Sequence, residues 1–259
     1  MPAPVTDAGF TEVAPRVWVA RYAAWDVNVT VVEGGRGLVV VDTMGSDETV
    51  AAMRDDLRRL SGREVVAVVN THEHVDHVHG NAALREEFPG LPVHAHEGAD
   101  VPTATERFSS VGFVDLGDRV LELVHPGRGH TGGDLVVRVP DCDVVLAGDL
   151  VEESAAPAYG TDCFPFEWPE TLDMVVGLLT GGTLVVPGHG SPVDKAFVVD
   201  QRDDVGTVAE TFRDLVTRGV PEDEALEQGT WPFPVEGLTK ALGRAYLQLP
   251  RPPTQLPLV

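Results

Sequence analysis

The residues best suited to chemistry fall in one segment, THEHVDHVHGN, where His72, His74, Asp76 and His77 stand as H-x-H-x-D-H. So tight a cluster of imidazoles and carboxylate serves little purpose in packing. These are the donors that zinc takes at roughly 2.0–2.2 Å, and iron and manganese accept them too. Histidines two apart converge once a strand gives way to a loop, whereas the adjacent Asp76 and His77 diverge toward a second position. Three later segments each add a ligand in glycine-flanked surroundings: His130 in GRGHTGGD, Asp149 in VVLAGDL and His189 in VVPGHGS. The glycines let the backbone bend so that each side chain turns into a shared cleft. Seven such ligands would serve two metal ions.

These residues need elements to position them. The apolar run 65–69 predicts a strand buried on both faces, and it leads straight into the histidines. They therefore sit at a strand's carboxyl end, the edge where open α/β layers build ligand sites. Upstream, β-branched runs predict strands at 16–22, 27–33 and 37–41, with GGRG at 34–37 as a hairpin turn. Ser46 caps a helix that has Asp47 and Glu48 in its first turn, Val50, Met53, Leu57 and Leu60 on one stripe, and Gly62 as its stop. Downstream, strands are expected near 92–95, 119–124, 135–139 and 144–147. A helix opened by Pro169 and closed by Gly181 follows, then a strand at 183–186. This alternation predicts an α/β fold with two sheets face to face and helices outside. After Asp194 the pattern turns helical, with Val198, Val205, Val208, Phe212 and Leu215 on one stripe before Gly219. A further helix is expected at 235–249, and Pro252, Pro253 and Pro257 end regular structure.

The order H-x-H-x-D-H, then GHT, then GD after an apolar strand, then PGHG, resembles the metallo-β-lactamase fold superfamily of hydrolases over roughly residues 16–194. The combination is far more specific than any one of its pieces. The resemblance implies an αβ/βα four-layer sandwich of two mixed sheets, with residues 1–194 as the catalytic domain and 195–259 as a helical C-terminal extension packed on it. It also implies that His72, His74 and His130 bind one metal, that Asp76, His77 and His189 bind another, and that Asp149 bridges both. Typical metallo-β-lactamases carry cysteine or serine where Asp149 stands, so this chain is more similar to the glyoxalase II and lactonase branches than to antibiotic-hydrolysing members. Asp42, ending GLVVVD, matches a position that supports the histidine loop by hydrogen bonding. An aspartate that only serves the turn in DTMGS is the equal alternative.

Two Zn2+ ions held roughly 3.5–4 Å apart would acidify a shared water toward pKa ~7. The bridging hydroxide would attack an ester, thioester or lactone carbonyl, with Asp76 or a metal-bound water as the proton donor to the leaving group. Fe2+ and Mn2+ are the alternative metals. The competing function is a mononuclear iron dioxygenase similar to the persulfide dioxygenases, using His72, His130 and Asp149.

Other conspicuous residues receive plainer readings. His79, His94, His96 and His125 are taken as surface or hydrogen-bonded side chains, since the ligand positions are already filled. Cys142 and Cys163 are too few for a disulfide framework and not spaced as C-x-x-C, so both are read as free, inert thiols. Phe164, Phe166 and Trp168 in CFPFEWP, and Tyr159 before them, either line a substrate pocket or pack beneath the helix at Pro169, and packing is preferred. The basic residues of the tail, including Lys195, Arg202, Lys240 and Arg244, are scattered and form no evident anion clamp. Asp134 and Arg128 receive no role.

Composition bounds the rest. With 43% hydrophobic and 23% charged residues the chain is an ordinary globular one. Its net charge of -22, from 41 acidic against 19 basic residues, excludes nucleic acid as a natural partner and leaves a small-molecule substrate. No run approaches the roughly 18 apolar residues of a membrane span, and the amino end MPAPVTDAGF has neither a basic segment nor an apolar signal core. Cytoplasmic residence without a membrane partner is expected, and the oligomeric state is left open.

Overall fold

The computed structural model describes residues 9–249; residues 1–8 and the prolines at 252, 253 and 257, with the readings that fall on them, lie outside the described residues. The first set of strands is β1 (Thr11–Ala14), β2 (Val17–Tyr22), β3 (Val27–Gly34), β4 (Gly37–Val41), β5 (Val65–Val69), β6 (Val93–His96) and β7 (Glu106–Phe108), hydrogen-bonded side by side in chain order. The second set is β8 (Val111–Asp115), β9 (Val120–Val124), β10 (Val136–Val139), β11 (Val144–Glu152) and β12 (Leu184–His189), also neighbours in order. Each set is mixed: β4 to β7 run parallel, as do β11 and β12, and the other pairings are antiparallel. The two sets touch through a single ladder pair, His189 opposite Val27. Asn28 stitches this seam by donating to the carbonyls of Pro187 at 2.9 Å and Gly190 at 2.8 Å.

Side-chain alternation along β4 shows how four layers arise. Val39 and Val41 join Leu121, Leu123, Val137 and Leu146 in a core between the two sheets. Leu38 and Val40 point the opposite way, by the period of two, onto Met53, Leu57 and Leu84 of α1 (Asp47–Leu60) and α3 (Asn81–Glu87). The outer face of the second sheet, Val145, Ala147 and Val185, is covered by Trp168 and Leu172 of α4 (Trp168–Leu178) and by Val198, Val205 and Phe212 of α5 (Lys195–Thr217). α6 (Glu222–Gln228) and α7 (Val235–Gln248) add Ala225, Leu238, Ala241 and Leu242 to that same cluster. The architecture is the αβ/βα sandwich with a helical C-terminal region. No helix among the described residues is long and apolar enough to cross a membrane.

The strands and helices read from sequence are present with shifted ends. Ser46 caps α1 as expected, in a capping box with Thr49. The edge strands β1, β7 and β8, and the short helices α2 (Val75–Val78), α3 and α6, are additions. β11 continues through Asp149 to Glu152 because Gly148, at φ +53°, bends the strand without ending it, and the register with β12 shifts there.

Candidate metal centre

The seven residues named from sequence converge at one edge of the two sheets. His72 follows β5, His74 precedes α2, and Asp76 and His77 lie on α2. His130 comes from the loop between β9 and β10, Asp149 lies within β11, and His189 ends β12. Donor atoms of His72, His74, His130 and Asp149 all lie within 4.8 Å of one another, as do those of Asp76, His77 and His189. Asp149 lies between the two groups. Its Oδ1 is 3.2 Å from Nε2 of His77, and its Oδ2 is 3.4 Å from Nε2 of both His130 and His189 and 3.7 Å from Nε2 of His72. Asp76 Oδ2 lies 3.4 Å from Nε2 of His189 and 3.6 Å from that of His77. The packing needed here leaves no room for a side chain at Gly188, where a Cβ would collide with the Asp149 carboxylate.

Each imidazole is tied down on the nitrogen that faces away. Nδ1 of His77 meets Asp42 Oδ2 at 2.8 Å, Nδ1 of His130 the Ala158 carbonyl at 2.8 Å, and Nδ1 of His189 the Trp25 carbonyl at 3.1 Å. Nε2 of His74 meets Asp162 Oδ2 at 3.0 Å, and Nδ1 of His72 meets Thr71 Oγ1 at 3.1 Å. Since Thr71 Oγ1 donates to Asp42, it accepts from His72. These acceptors fix the tautomers of the neutral imidazoles, the form that binds metal, so that the lone-pair nitrogens are then the ones turned inward. Nε2 of His130 and Nδ1 of His74 approach to 2.8 Å. Nε2 of His72, Nε2 of His77 and Oδ1 of Asp149 are buried without a hydrogen-bond partner among the described residues. Buried imidazole nitrogens and carboxylate oxygens that converge from several elements with hydrogen-bonding capacity left over are what a cation would satisfy, so the donor set fits divalent metal.

The protein's own charges polarise the cluster. Burial drives the imidazolium form of His72 well below its usual range and takes His130 down to about 4. Burial opposes charge on His77 as well, yet the Asp149 and Asp42 carboxylates raise it well above the ordinary histidine value. For His189, hydrogen bonding to Asp149 and Asp76 outweighs burial and takes it to about 10. Asp149 is held well below the carboxylate range by His77 and His72 despite its burial.

The cluster opens into a cleft of about 680 Å3, walled by residues 152–162, by Asp26 and by Lys240 of α7. Tyr159 lines this cleft, whereas Trp168 and Phe166 are buried in the cluster under α4 and α5, so packing is their role. Phe164 stands outside the cleft between the guanidinium groups of Arg128 and Arg244, 4.3 and 4.9 Å from its ring centre. Asp134 organises the GRGHTGGD loop, accepting from the Gly129 and Thr131 amides and, at 2.7 Å, from the Thr131 hydroxyl. Arg128 pairs with Glu167 through two bonds of 2.8 Å.

The other histidines stay out of the cluster. His79 meets Asp47 at 2.8 Å, and His96 and His125 stack on each other at 3.7 Å. Cys142 and Cys163 are free, and burial pushes the Cys163 thiol up to about 12, which keeps it unreactive. Sequence reasoning missed Asp162, which holds His74, and Glu152, a buried carboxylate beside Asp149 and His189 that burial and Asp149 raise to about 7. Nothing in the local pattern around either residue signals this placement.

An αβ/βα sandwich with a histidine and aspartate cluster at the shared sheet edge defines a class of metallo-hydrolases. The family model described as Metallo-beta-lactamase superfamily matches residues 22–189, and the chain belongs to that superfamily. It is 27% identical over 187 residues to a type 2 metallo-beta-lactamase of Bacillus cereus, covering 68% of this chain and 72% of the relative. Among solved structures, the metallo-beta-lactamase from Pontibacter korlensis superposes with a TM-score of 0.67 at 23% identity, over 76% of this chain and 98% of that one. The stereoselective inverting sec-alkylsulfatase Pisa1 from Pseudomonas sp. superposes with a TM-score of 0.77 at 18% identity, over 92% of this chain but half of that one. At these identities the two structures speak for the fold.

Proposed function

We propose that the protein is a dinuclear, zinc-dependent hydrolase of a small ester, thioester or lactone. His72, His74 and His130 would hold one ion, Asp76, His77 and His189 the other, and Asp149 would bridge them. The observation that carries this reading is the set of five imidazoles, each pinned on its outward nitrogen, whose inward nitrogens gather with Asp76 around the two oxygens of Asp149. When bound, two such cations supply a nucleophile at neutral pH by acidifying water, and they polarise the substrate carbonyl.

The chain's own residues do the rest. Asp42, Ala158, Trp25, Asp162 and Thr71 hold the imidazoles in the tautomers the reaction needs. Asp76 also faces the open cleft; His189 and His77 hold it below the usual carboxylate range despite its burial, so it is ionised and would relay a proton from water to the departing group rather than store one. No serine or cysteine nucleophile is called for. An aspartate at position 149, in place of cysteine or serine, favours the resemblance to glyoxalase II and lactonases over β-lactam hydrolysis.

The test is elemental analysis of protein purified without added metal, paired with turnover of a panel of thioesters, lactones and a β-lactam. About two zinc ions per chain with ester-type hydrolysis is expected. About one iron per chain with oxygen uptake on a persulfide would overturn the reading.

A further inference from the structure

Glu152, which sequence reasoning passed over, stands in the wall of the metal centre. It lies three residues beyond Asp149 on β11, and in a regular strand that odd spacing sends two side chains to opposite faces. Here the ladder with β12 slips between Gly148 and Glu152, so that Glu152 comes to pair with His189 itself. The slip brings both carboxylates into the lining of one cleft. The Glu152 amide donates to the Gln201 side chain at 2.9 Å, which pins the strand end in that register.

Donor atoms of Asp149, Glu152 and His189 all lie within 4.8 Å of one another. Two further observations say that this group is short of a cation. Glu152 is 6% exposed, makes no ion pair among the described residues, and accepts one side-chain hydrogen bond, from the Ser154 hydroxyl at 3.0 Å. Asp149 Oδ1 is buried without a hydrogen-bond partner among the described residues. Carboxylates so buried are costly unless a cation meets them. The group does not call for a third ion, however. Nδ1 of His189 is taken by the Trp25 carbonyl, so one inward nitrogen remains, and its lone pair serves one ion. The same nitrogen belongs with Asp76 and His77, so Glu152 adds to the position that those residues define.

We infer that Glu152 is a ligand of the second ion, a third carboxylate there beside Asp76 and the bridging Asp149. The inference rests on the dinuclear reading and goes beyond it, because it makes the two positions chemically unlike. His72, His74, His130 and Asp149 offer three imidazoles and one carboxylate. The second position gathers two imidazoles, from His77 and His189, and three carboxylates. Imidazole-rich sites suit zinc, whereas carboxylate oxygens suit Mn2+. The second position should therefore hold Mn2+ while the first keeps zinc.

The experiment uses the full chain, stripped by chelator and reloaded with one equivalent of zinc. Mn2+ is titrated in, and binding is read as loss of the aqueous ion's electron paramagnetic resonance signal, without reference to turnover. The wild type should take up about one Mn2+ per chain. In Glu152→Gln, which keeps the shape but offers a neutral oxygen, Kd should rise at least about tenfold. Glu153→Gln is the charge control. Its carboxylate accepts from the Ser191 amide at 2.7 Å and is not part of the donor group, so losing the same charge one residue away should move Kd less than about threefold. Competition with a chromophoric chelator should find the first zinc held equally by all three proteins, which excludes a folding defect. Equal Mn2+ affinity in the wild type and Glu152→Gln, or an equal loss in Glu153→Gln, overturns the assignment. A wild type that takes up no second ion, Mn2+ or zinc, overturns the dinuclear reading with it. Glu152-dependent Mn2+ binding without turnover of any thioester or lactone would sink the hydrolase reading and leave the ligand standing.

Discussion

Replacing Asp42 tests the whole scheme from outside the cluster. Its carboxylate accepts from the Thr71 amide, the Thr71 hydroxyl and Nδ1 of His77, each at 2.8 Å, and all three residues are buried. Asp42→Ala removes three bonds to one carboxylate, two from the neutral Thr71 donors and one from His77, worth about 1 to 1.5 kcal/mol each. It also leaves a β-carbon at φ +62° without the local hydrogen bonding that lets aspartate tolerate that conformation, for roughly 1 kcal/mol more. The expected loss is about 4–5 kcal/mol in urea unfolding of chelator-treated protein. Asp42→Asn is the sharper probe. Asparagine tolerates the same backbone and keeps one acceptor, so the loss should be only about 2 kcal/mol. Its amide, however, turns a donor toward His77 Nδ1, which moves the imidazole proton to Nε2 and removes the inward lone pair. Metal affinity, read by competition with a chromophoric chelator, should fall about 10–100-fold. An asparagine variant that binds both ions and unfolds like the wild type would refute the claim that Asp42 sets the His77 tautomer.

Three further outcomes follow from the same geometry. Asp149→Ala leaves the two donor groups without a common carboxylate, so turnover should drop by roughly 10³-fold, and near-wild-type kcat would rule out the bridging role. With His77 held above the ordinary range and His189 at about 10, both are protonated at pH 7 in the metal-free protein, whereas a ligand must be neutral. Zinc uptake should release about two protons and tighten as pH rises toward 10; calorimetric heats that do not depend on the buffer's ionisation enthalpy would contradict this. Glu152, raised to about 7 from 4.5, destabilises the metal-free fold as pH climbs through that interval, because the unfolded chain gives up the proton first. Glu152→Gln should therefore match the wild type in urea unfolding at pH 4, gain roughly 1–3 kcal/mol over it at pH 8, and be wrongly explained if the gain is equal at both.

What sequence could supply was set by local chemistry. β-Branched runs such as 27–33, 65–69 and 144–147 carry their strand signal in themselves, and they became β3, β5 and β11. β7 and β8 did not announce themselves because ERF and VGFVD are short and largely exposed, so only pairing with a neighbour makes them strands. The seven donor side chains were legible because their types and spacing have no structural use. Their supports were not: the Trp25 and Ala158 carbonyls are backbone atoms that any residue would offer, and Asp162 reaches His74 from 88 residues away. Lys240 read as one scattered cation until α7 brought it to the cleft.

The single ladder pair between the two strand sets has a consequence for how the molecule moves. His72, His74, Asp76 and His77 hang from the first set, and His130, Asp149 and His189 belong to the second, so the donors straddle a seam that carries one ladder pair, the Asn28 amide and the bond from His189 to the Trp25 carbonyl. A cation held between them would act as a clasp across two halves that are otherwise joined through their shared apolar interior, through the Leu135 amide on the Thr71 carbonyl, and at the far edge through Arg119 on the Pro15 and Arg16 carbonyls and Arg16 on Asp118. Chelation should loosen the hinge before it melts either half, and amide exchange should quicken first at Val27, Asn28 and the PGHG turn while the interiors of β4 and β10 stay protected. The same ions proposed to activate water would then also set the rate at which the halves breathe.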